Sequence, residues 1–440
     1  MIYQFLKRLI KIAFFIFYRK KVVSDLENIS TSGPLIIAVN HPNTLLDPLL
    51  VASLVKRKVG FLANASIFRN KIVSSIFNYF QVIPVYRKKD VKPDEIQDNS
   101  QSFRKCYEFF DNNGALLIFP EGTSVNELKL RDIKTGTARI ALAYEADRGF
   151  PGTLNINTIA LSYSDSLSFR STVSVIVNPS FKVKEYQSLW KKDKMEAIKA
   201  FTERIQKEME GQITLTDDKN QEKAVLQVQK FYTEYIDPSI SRYTDPVRSF
   251  EFRRKLAERV RNLQNTDPLL YNNLETEFDD FFSQLEDLKI TPGFVRSSFL
   301  KKNKSIVLIA YIFQLTLLFP FYILGIITNY IPYKIPAWIF KALKPDIEYR
   351  ASIYMITGMI VFPLFYIINI FLFRMYISDN LVWSIVFLLS LPFLGFIVLF
   401  YWKIMMRFIR VLKFYFIVKK KEREKLIVLR DLLSNQIRNI

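Results

Sequence analysis

The chain has 440 residues, a formal net charge of +20, and half of its residues apolar. That length holds an ordinary globular domain with structure to spare, and the basic excess favours anionic lipid, acidic substrates or nucleic acid. A single cysteine, Cys106, excludes an intrachain disulfide and a Cys/His metal site by count. With no Gly-rich dinucleotide fingerprint or Walker loop present either, lipid headgroups and phosphorylated substrates outweigh nucleic acid as partners.

Residues 1–23 mix apolar and basic positions, as in Leu6-Lys7-Arg8-Leu9-Ile10-Lys11. The apolar run is too short to span a bilayer, and Arg19-Lys20-Lys21 follows it where a signal peptide would have a small-residue cleavage site. The pattern predicts an interfacial amphipathic helix lying on an anionic leaflet. Residues 24–215 alternate strand-like runs at 35–39, 59–62, 81–85, 115–119, 157–162 and 172–177 with helical stretches. That alternation predicts an α/β domain, a central mixed sheet covered by helices. Cys106 falls on one of the amphipathic helical stretches, where a structural role is expected.

Residues 216–300 carry apolar positions at helical spacing over 224–236, 252–263 and 274–288, with Pro238 and Pro268 as punctuation. They read as a helical connector module. Residues 301–410 then read as an all-α transmembrane region, with runs at 305–330, 351–373 and 381–402 each long enough to cross. Residues 411–440 form a basic amphipathic tail. Topology is contradictory at this level. Lys301, Lys302 and Lys304 mark one end as cytoplasmic, and Lys419, Lys420, Lys421, Arg423 and Lys425 mark the other. Three crossings would separate them. Either one run re-enters, as at Pro320, or the charge rule fails; the 331–350 linker is a candidate to lie in the interface.

The only histidine, His41, stands in Asn40-His41-Pro42-Asn43-Thr44-Leu45-Leu46-Asp47, between a strand-like run and an apolar helix. Imidazole is the side chain best matched to taking a proton from a hydroxyl near neutral pH; a satisfied polar residue is the plainer reading. His41 and Asp47 are six positions apart, so on one helix of about 3.6 residues per turn they would face different ways. They meet only if His41 stays in the turn, which Pro42 favours. Otherwise Asp47 is a helix-capping carboxylate. No Gly-x-Ser-x-Gly elbow accompanies them. A substrate hydroxyl would therefore be the nucleophile.

A second segment, Phe119-Pro120-Glu121-Gly122-Thr123-Ser124, follows the buried-strand pattern at 115–119. Together the two segments resemble the glycerolipid acyltransferases, which include glycerol-3-phosphate and lysophosphatidate acyltransferases. The best-known form of the family motif has four residues between His and Asp; here there are five. The resemblance covers about residues 34–185. It implies His41 as general base and Asp47 as its orienter, with Glu121, Gly122 and Thr123 at the acceptor site. Arg87, in Gln81-Val82-Ile83-Pro84-Val85-Tyr86-Arg87, resembles the family's phosphate-binding arginine, though a surface charge is its plainer reading. Lys134-Thr135-Gly136-Thr137 matches the stretch after the Glu-Gly motif. Phe169-Arg170-Ser171 resembles the glycerol-3-phosphate enzymes more than the lysophosphatidate ones, which adds Arg170 to the acceptor set.

The implied activity is acyl transfer from acyl-CoA or acyl carrier protein to a phosphorylated glycerol acceptor in phospholipid synthesis, with no cofactor. Membrane lipids and the acyl donor are the implied partners, and the site is expected on the cytoplasmic face of a membrane. The alternatives are lysophosphatidate acylation, acylation of a non-phosphate lipid, and a non-catalytic lipid-binding membrane protein.

Overall fold

The computed structural model describes residues 2–65, 68, 74, 75, 77, 79–86, 99–241, 244–300 and 303–438. Two compact units result, Met1–Asp217 with Ile347–Ser352, and Asp218–Asp346 with Ile353–Ile440.

The first unit is built on a mixed sheet of eight strands among the described residues, ordered β1-β7-β6-β2-β5-β3-β4 with β8 beside β6. The strands are β1 (Lys20–Ser24), β2 (Leu35–Val39), β3 (Val59–Asn64), β4 (Val82–Val85), β5 (Ala115–Ile118), β6 (Asn155–Tyr163), β7 (Thr172–Val177) and β8 (Phe181–Lys182). Leu35-Ile36-Ile37-Ala38-Val39 is apolar on both faces and wholly buried, as a central strand between parallel neighbours must be. Its partners are β5 (Leu35 opposite Ala115) and β6 (Leu35 opposite Asn155), both parallel to it. β7 and β8 run antiparallel to β6.

The helix expected over residues 1–23 is shorter. Helix α1 (Ile2–Phe17) ends before β1, which pairs in parallel with β7 from Lys20 opposite Thr172. Val22 and Val23 supply the β-branched character, and the lysines suit an edge strand. Helix α1 leaves Ile2, Phe5, Leu9, Ile12, Phe15 and Ile16 exposed. Helix α2 (Leu46–Leu54) follows β2. Helices α3 (Ser100–Asp111), α4 (Gly136–Asp147) and α5 (Lys194–Glu210) cover one face of the sheet. There Cys106, Phe110, Tyr144 and Phe201 pack on Ile36, Leu116 and Ile156. Burial pushes the Cys106 thiol up to about 12, so it is a small apolar filler there and not a nucleophile.

The second unit starts with three helices, α6 (Lys219–Tyr235), α7 (Pro246–Thr266) and α8 (Pro268–Asp287). Asp218, Asp245 and Asp267 cap them by accepting first-turn amides, and proline opens the last two. Long apolar helices follow: α9 (Lys304–Leu343), α10 (Arg350–Tyr376) and α11 (Leu381–Phe416), then α12 (Lys420–Arg438). Helices α9, α10 and α11 are each long and apolar enough to cross a membrane. Helix α9 continues through Pro320 and into the 331–350 stretch read as a linker, ending at Leu343.

Helices α9 and α11 are antiparallel. Lys304 lies over the Phe416 ring, Tyr311 meets Phe408, Tyr322 stacks on Tyr401 at 4.0 Å, and Asn329 Nδ2 donates to the Leu391 carbonyl. Position rises along one helix as it falls along the other. Helix α10 starts beside the end of α9 (Tyr354 against Phe340), reaches Asn329 with the Tyr366 hydroxyl at 2.9 Å, and finishes beside Phe387 of α11. The chain therefore leaves α9 and enters α11 at the same end of the pair.

Candidate active site

The site lies at the carboxyl ends of three adjacent parallel strands, β5, β2 and β6, the edge of an α/β sheet where ligands ordinarily bind. Asn40, the first residue beyond β2, is buried. Its amide donates to the Leu161 carbonyl at 3.0 Å and its oxygen accepts from Leu161 N–H at 2.7 Å, extending the pairing of β2 with β6. His41 follows in the turn before α2 and does not join the helix. Asp47 sits in the first turn of α2 with no exposed surface, where the helix N-terminus favours its charge. Chain reversal at Pro42-Asn43 brings the two together: His41 Nδ1 lies 2.9 Å from Asp47 Oδ2.

The carboxylate is held from three sides. Asp47 Oδ2 also accepts the Asn43 amide at 2.7 Å, and Oδ1 accepts the Tyr163 hydroxyl at 2.6 Å. Burial, and then the Asp47 charge, push the Tyr163 phenol well above its ordinary range, so it remains a donor. A carboxylate so surrounded accepts Nδ1–H, which leaves the lone pair on Nε2. The imidazole stacks on Phe119, ring centroids 3.9 Å apart, and the His41 side chain keeps 17% of its surface exposed.

Glu121 enters from the end of β5. One oxygen accepts the His41 backbone N–H at 2.7 Å and the other the Arg131 backbone N–H at 3.2 Å. Burial raises its carboxyl above the usual range, opposed by those two bonds. The first and second sequence segments are further stapled by Val125 N–H to the His41 carbonyl and by Thr44 N–H to Ser124 Oγ, 3.2 and 2.9 Å. Gly122 has φ +71°, a turn conformation that favours glycine, and Lys134 borders it; Thr123 is half-buried in the same turn.

Arg170, expected in the acceptor set, lies against the end of α1. Its backbone N–H and its guanidinium both donate to the end of α1, to the Phe17 carbonyl at 2.7 Å and the Ile16 carbonyl at 3.3 Å. Arg87 lies outside the described residues. Asn43 stands inside the His41 segment and Tyr163 at the end of β6, and neither was among the expected site residues. Tyr163 closes β6, a strand that also holds Asn155, Asn157, Thr158 and Ser162, so polarity alone does not single it out. Among the described residues, no group of three or more His, Cys, Asp or Glu side chains is arranged to hold a metal.

Residues 20–161 match the family model described as Acyltransferase. The match spans about a third of the chain. The match agrees with the motif resemblance to the glycerolipid acyltransferases, and Tyr163 lies just beyond it. Among solved structures, the chain is similar to the 1-acyl-sn-glycerophosphate (LPA) acyltransferase PlsC from Thermotoga maritima, at 18% identity and a TM-score of 0.32. That similarity covers 46% of this chain and 79% of the other. A search of curated proteins gives no significant match.

Proposed function

We propose that the acyltransferase domain moves a fatty acyl group from a thioester, acyl-CoA or acyl carrier protein, to a hydroxyl of glycerol-3-phosphate in phospholipid synthesis. The observation that carries this reading is the 2.9 Å contact of His41 Nδ1 with a buried, triply hydrogen-bonded Asp47. As the acceptor oxygen attacks the thioester carbonyl, its proton passes to His41 Nε2, and Asp47 steadies the imidazolium. The tetrahedral intermediate collapses with cleavage of the C–S bond, and the departing thiolate takes the proton. A C–O bond has replaced a C–S bond, and the atoms balance without another co-reactant.

In this reading Glu121 acts through the backbone, fixing His41 and the Arg131 segment, since a carboxylate repels phosphate. The phosphate end is assigned to Arg87 and to the turn of Gly122 and Thr123, with Lys134 beside it. The three long apolar helices fit an enzyme whose product belongs in a bilayer. The catalytic domain is assigned to the membrane face on which the anionic thioester donors are soluble.

A second reading, acylation of lysophosphatidate, is favoured by one observation. Arg170, the residue that tilted the motifs toward glycerol-3-phosphate, donates to the end of α1. Purified full-length protein supplied with each acceptor separately, and with both donor types, distinguishes the readings. Transfer to glycerol-3-phosphate that vanishes in His41→Ala is the expected result. Transfer to lysophosphatidate alone reassigns the acceptor, and undiminished activity in His41→Ala overturns the mechanism.

A further inference from the structure

The loop that carries His41 and Asp47 has a strained residue at its centre. Thr44 has φ +24°, a backbone region that β-branched residues avoid and that persists only where surrounding contacts enforce it. One enforcing contact comes from the neighbouring motif, Thr44 N–H to Ser124 Oγ. The others come from a segment about three hundred positions away. Thr44 Oγ1 donates to the Glu348 carbonyl at 3.1 Å and lies 2.9 Å from Ser352 Oγ. Thr44 and Ser352 are both buried. Residues Ile347–Ser352 belong to the same compact unit as the sheet, and Ser352 stands in the first turn of α10.

This arrangement satisfies both hydroxyls in one direction. Thr44 gives its proton to the Glu348 carbonyl and is left to accept from Ser352. The Thr44 backbone is thus fixed from its amide on one side and its side chain on the other. It lies three residues from His41 and three from Asp47, so a shift of its peptide moves both ends of the His–Asp bond. Displacement of a catalytic group by about 1 Å costs on the order of a hundredfold in rate.

We propose that Thr44 and Ser352 are positioning residues of the acyltransferase site, and that Ile347–Ser352 is the strap that holds the loop in its reactive shape. The proposal rests on His41 acting as base, as argued above, but its test does not depend on turnover alone. Because His41 is the only histidine, the imidazole signals of the full-length protein labelled with ¹⁵N-histidine report on this one ring.

Thr44→Val and Ser352→Ala each delete a hydroxyl from the strap; Thr44→Ser and Ser352→Thr keep one. In the first two, the Nδ1–H signal is expected to shift or broaden, and kcat to fall about tenfold to a hundredfold, with acceptor KM little changed. The hydroxyl-retaining pair is expected to restore both, a pattern that general loss of folding would not produce. An imidazole signal and a kcat that stay unmoved in both deletions overturn the strap. If the wild-type protein transfers no acyl group and yet the deletions move the imidazole signal, the strap stands and the assigned reaction fails.

Discussion

Asp47 has more hydrogen-bond donors around it than an orienting carboxylate strictly requires, and they act differently. The His41 contact sets the tautomer; the bonds from Tyr163 and Asn43 set the carboxylate plane. Asp47→Asn keeps the shape but favours the wrong imidazole tautomer, and the expected loss in kcat is about 10³- to 10⁴-fold. Tyr163→Phe leaves the tautomer intact and removes one bond to a buried charged group, so stability should fall by about 1.5–3 kcal/mol. Acyl-transfer rates and thermal unfolding of the two variants separate the effects. Glu121 makes a pH prediction. Its folded-state pKa is raised by burial, so its proton is held more tightly in the folded chain than in the unfolded one. That contribution is full below the unfolded value near 4.5 and is lost as pH rises through the higher folded value. Thermal midpoints followed from about pH 4 to about pH 7 should therefore change in favour of Glu121→Gln, relative to wild type, as pH rises. The His–Asp pair could be named through the motif resemblance and not through its spacing, with the turn at Pro42 as the condition for contact. Tyr163 could not be assigned a role, because a hydrogen bond between residues 116 positions apart is set by the pairing of β6 with β2.

At the scale of elements, the strands that read clearly were the apolar runs, the edge strand β4 included. β2 and β7 have the expected limits, and β3 to β6 differ by a few residues, because buried strands announce themselves as short apolar runs. β1 and β8 did not. β1 begins with two lysines and is recruited by its partner β7, and β8 is two residues held by β6. The helical connector was visible from its spacing, but the Asp-Pro starts of α7 and α8 extend them beyond the apolar pattern. Between α9 and α11 the packing turns on glycine. A Cβ at Gly325 would lie 2.7 Å from the Leu394 carbonyl oxygen and 2.6 Å from a Val398 methyl. Small residues permit such close helix approach in membranes. Gly325→Val should force these helices apart and lower the thermal midpoint in detergent, whereas Gly358→Ala, with only Phe362 of its own helix within 4 Å, should leave it nearly unchanged.

At the scale of the whole molecule, the contradiction between charge clusters and three crossings has a structural answer within the second unit. The antiparallel pairing of α9 with α11 puts Lys304 beside Phe416, and therefore brings the two basic ends together. The middle run, α10, starts and finishes near the same end of that pair, beside Phe340 and Phe387. Hydropathy could not show this, since it measures whether a segment suits lipid and not where it returns. Single cysteines introduced at Asn303 and Lys419, in a Cys106→Ala background, should react with an impermeant thiol reagent from the same side of sealed vesicles. A cysteine at Asp379 should react from the opposite side. Labelling of residues 303 and 419 from opposite faces would refute the shared end.

The Asn329 carboxamide has a further meaning for how the protein is made. Its donor to α11 needs the Leu391 carbonyl, 62 positions downstream, and the Tyr366 hydroxyl that it accepts from also comes later in synthesis. While α9 is newly made, this amide keeps only the neighbouring Thr328 hydroxyl as a partner, and its remaining hydrogen-bonding capacity meets hydrocarbon at a cost that lipid does not relieve. Release of α9 from the insertion machinery alone is therefore unfavourable, and the helices are best delivered to the bilayer together. A ribosome stalled between α9 and α11 would leave a nascent chain marked by one side chain short of two of its hydrogen bonds.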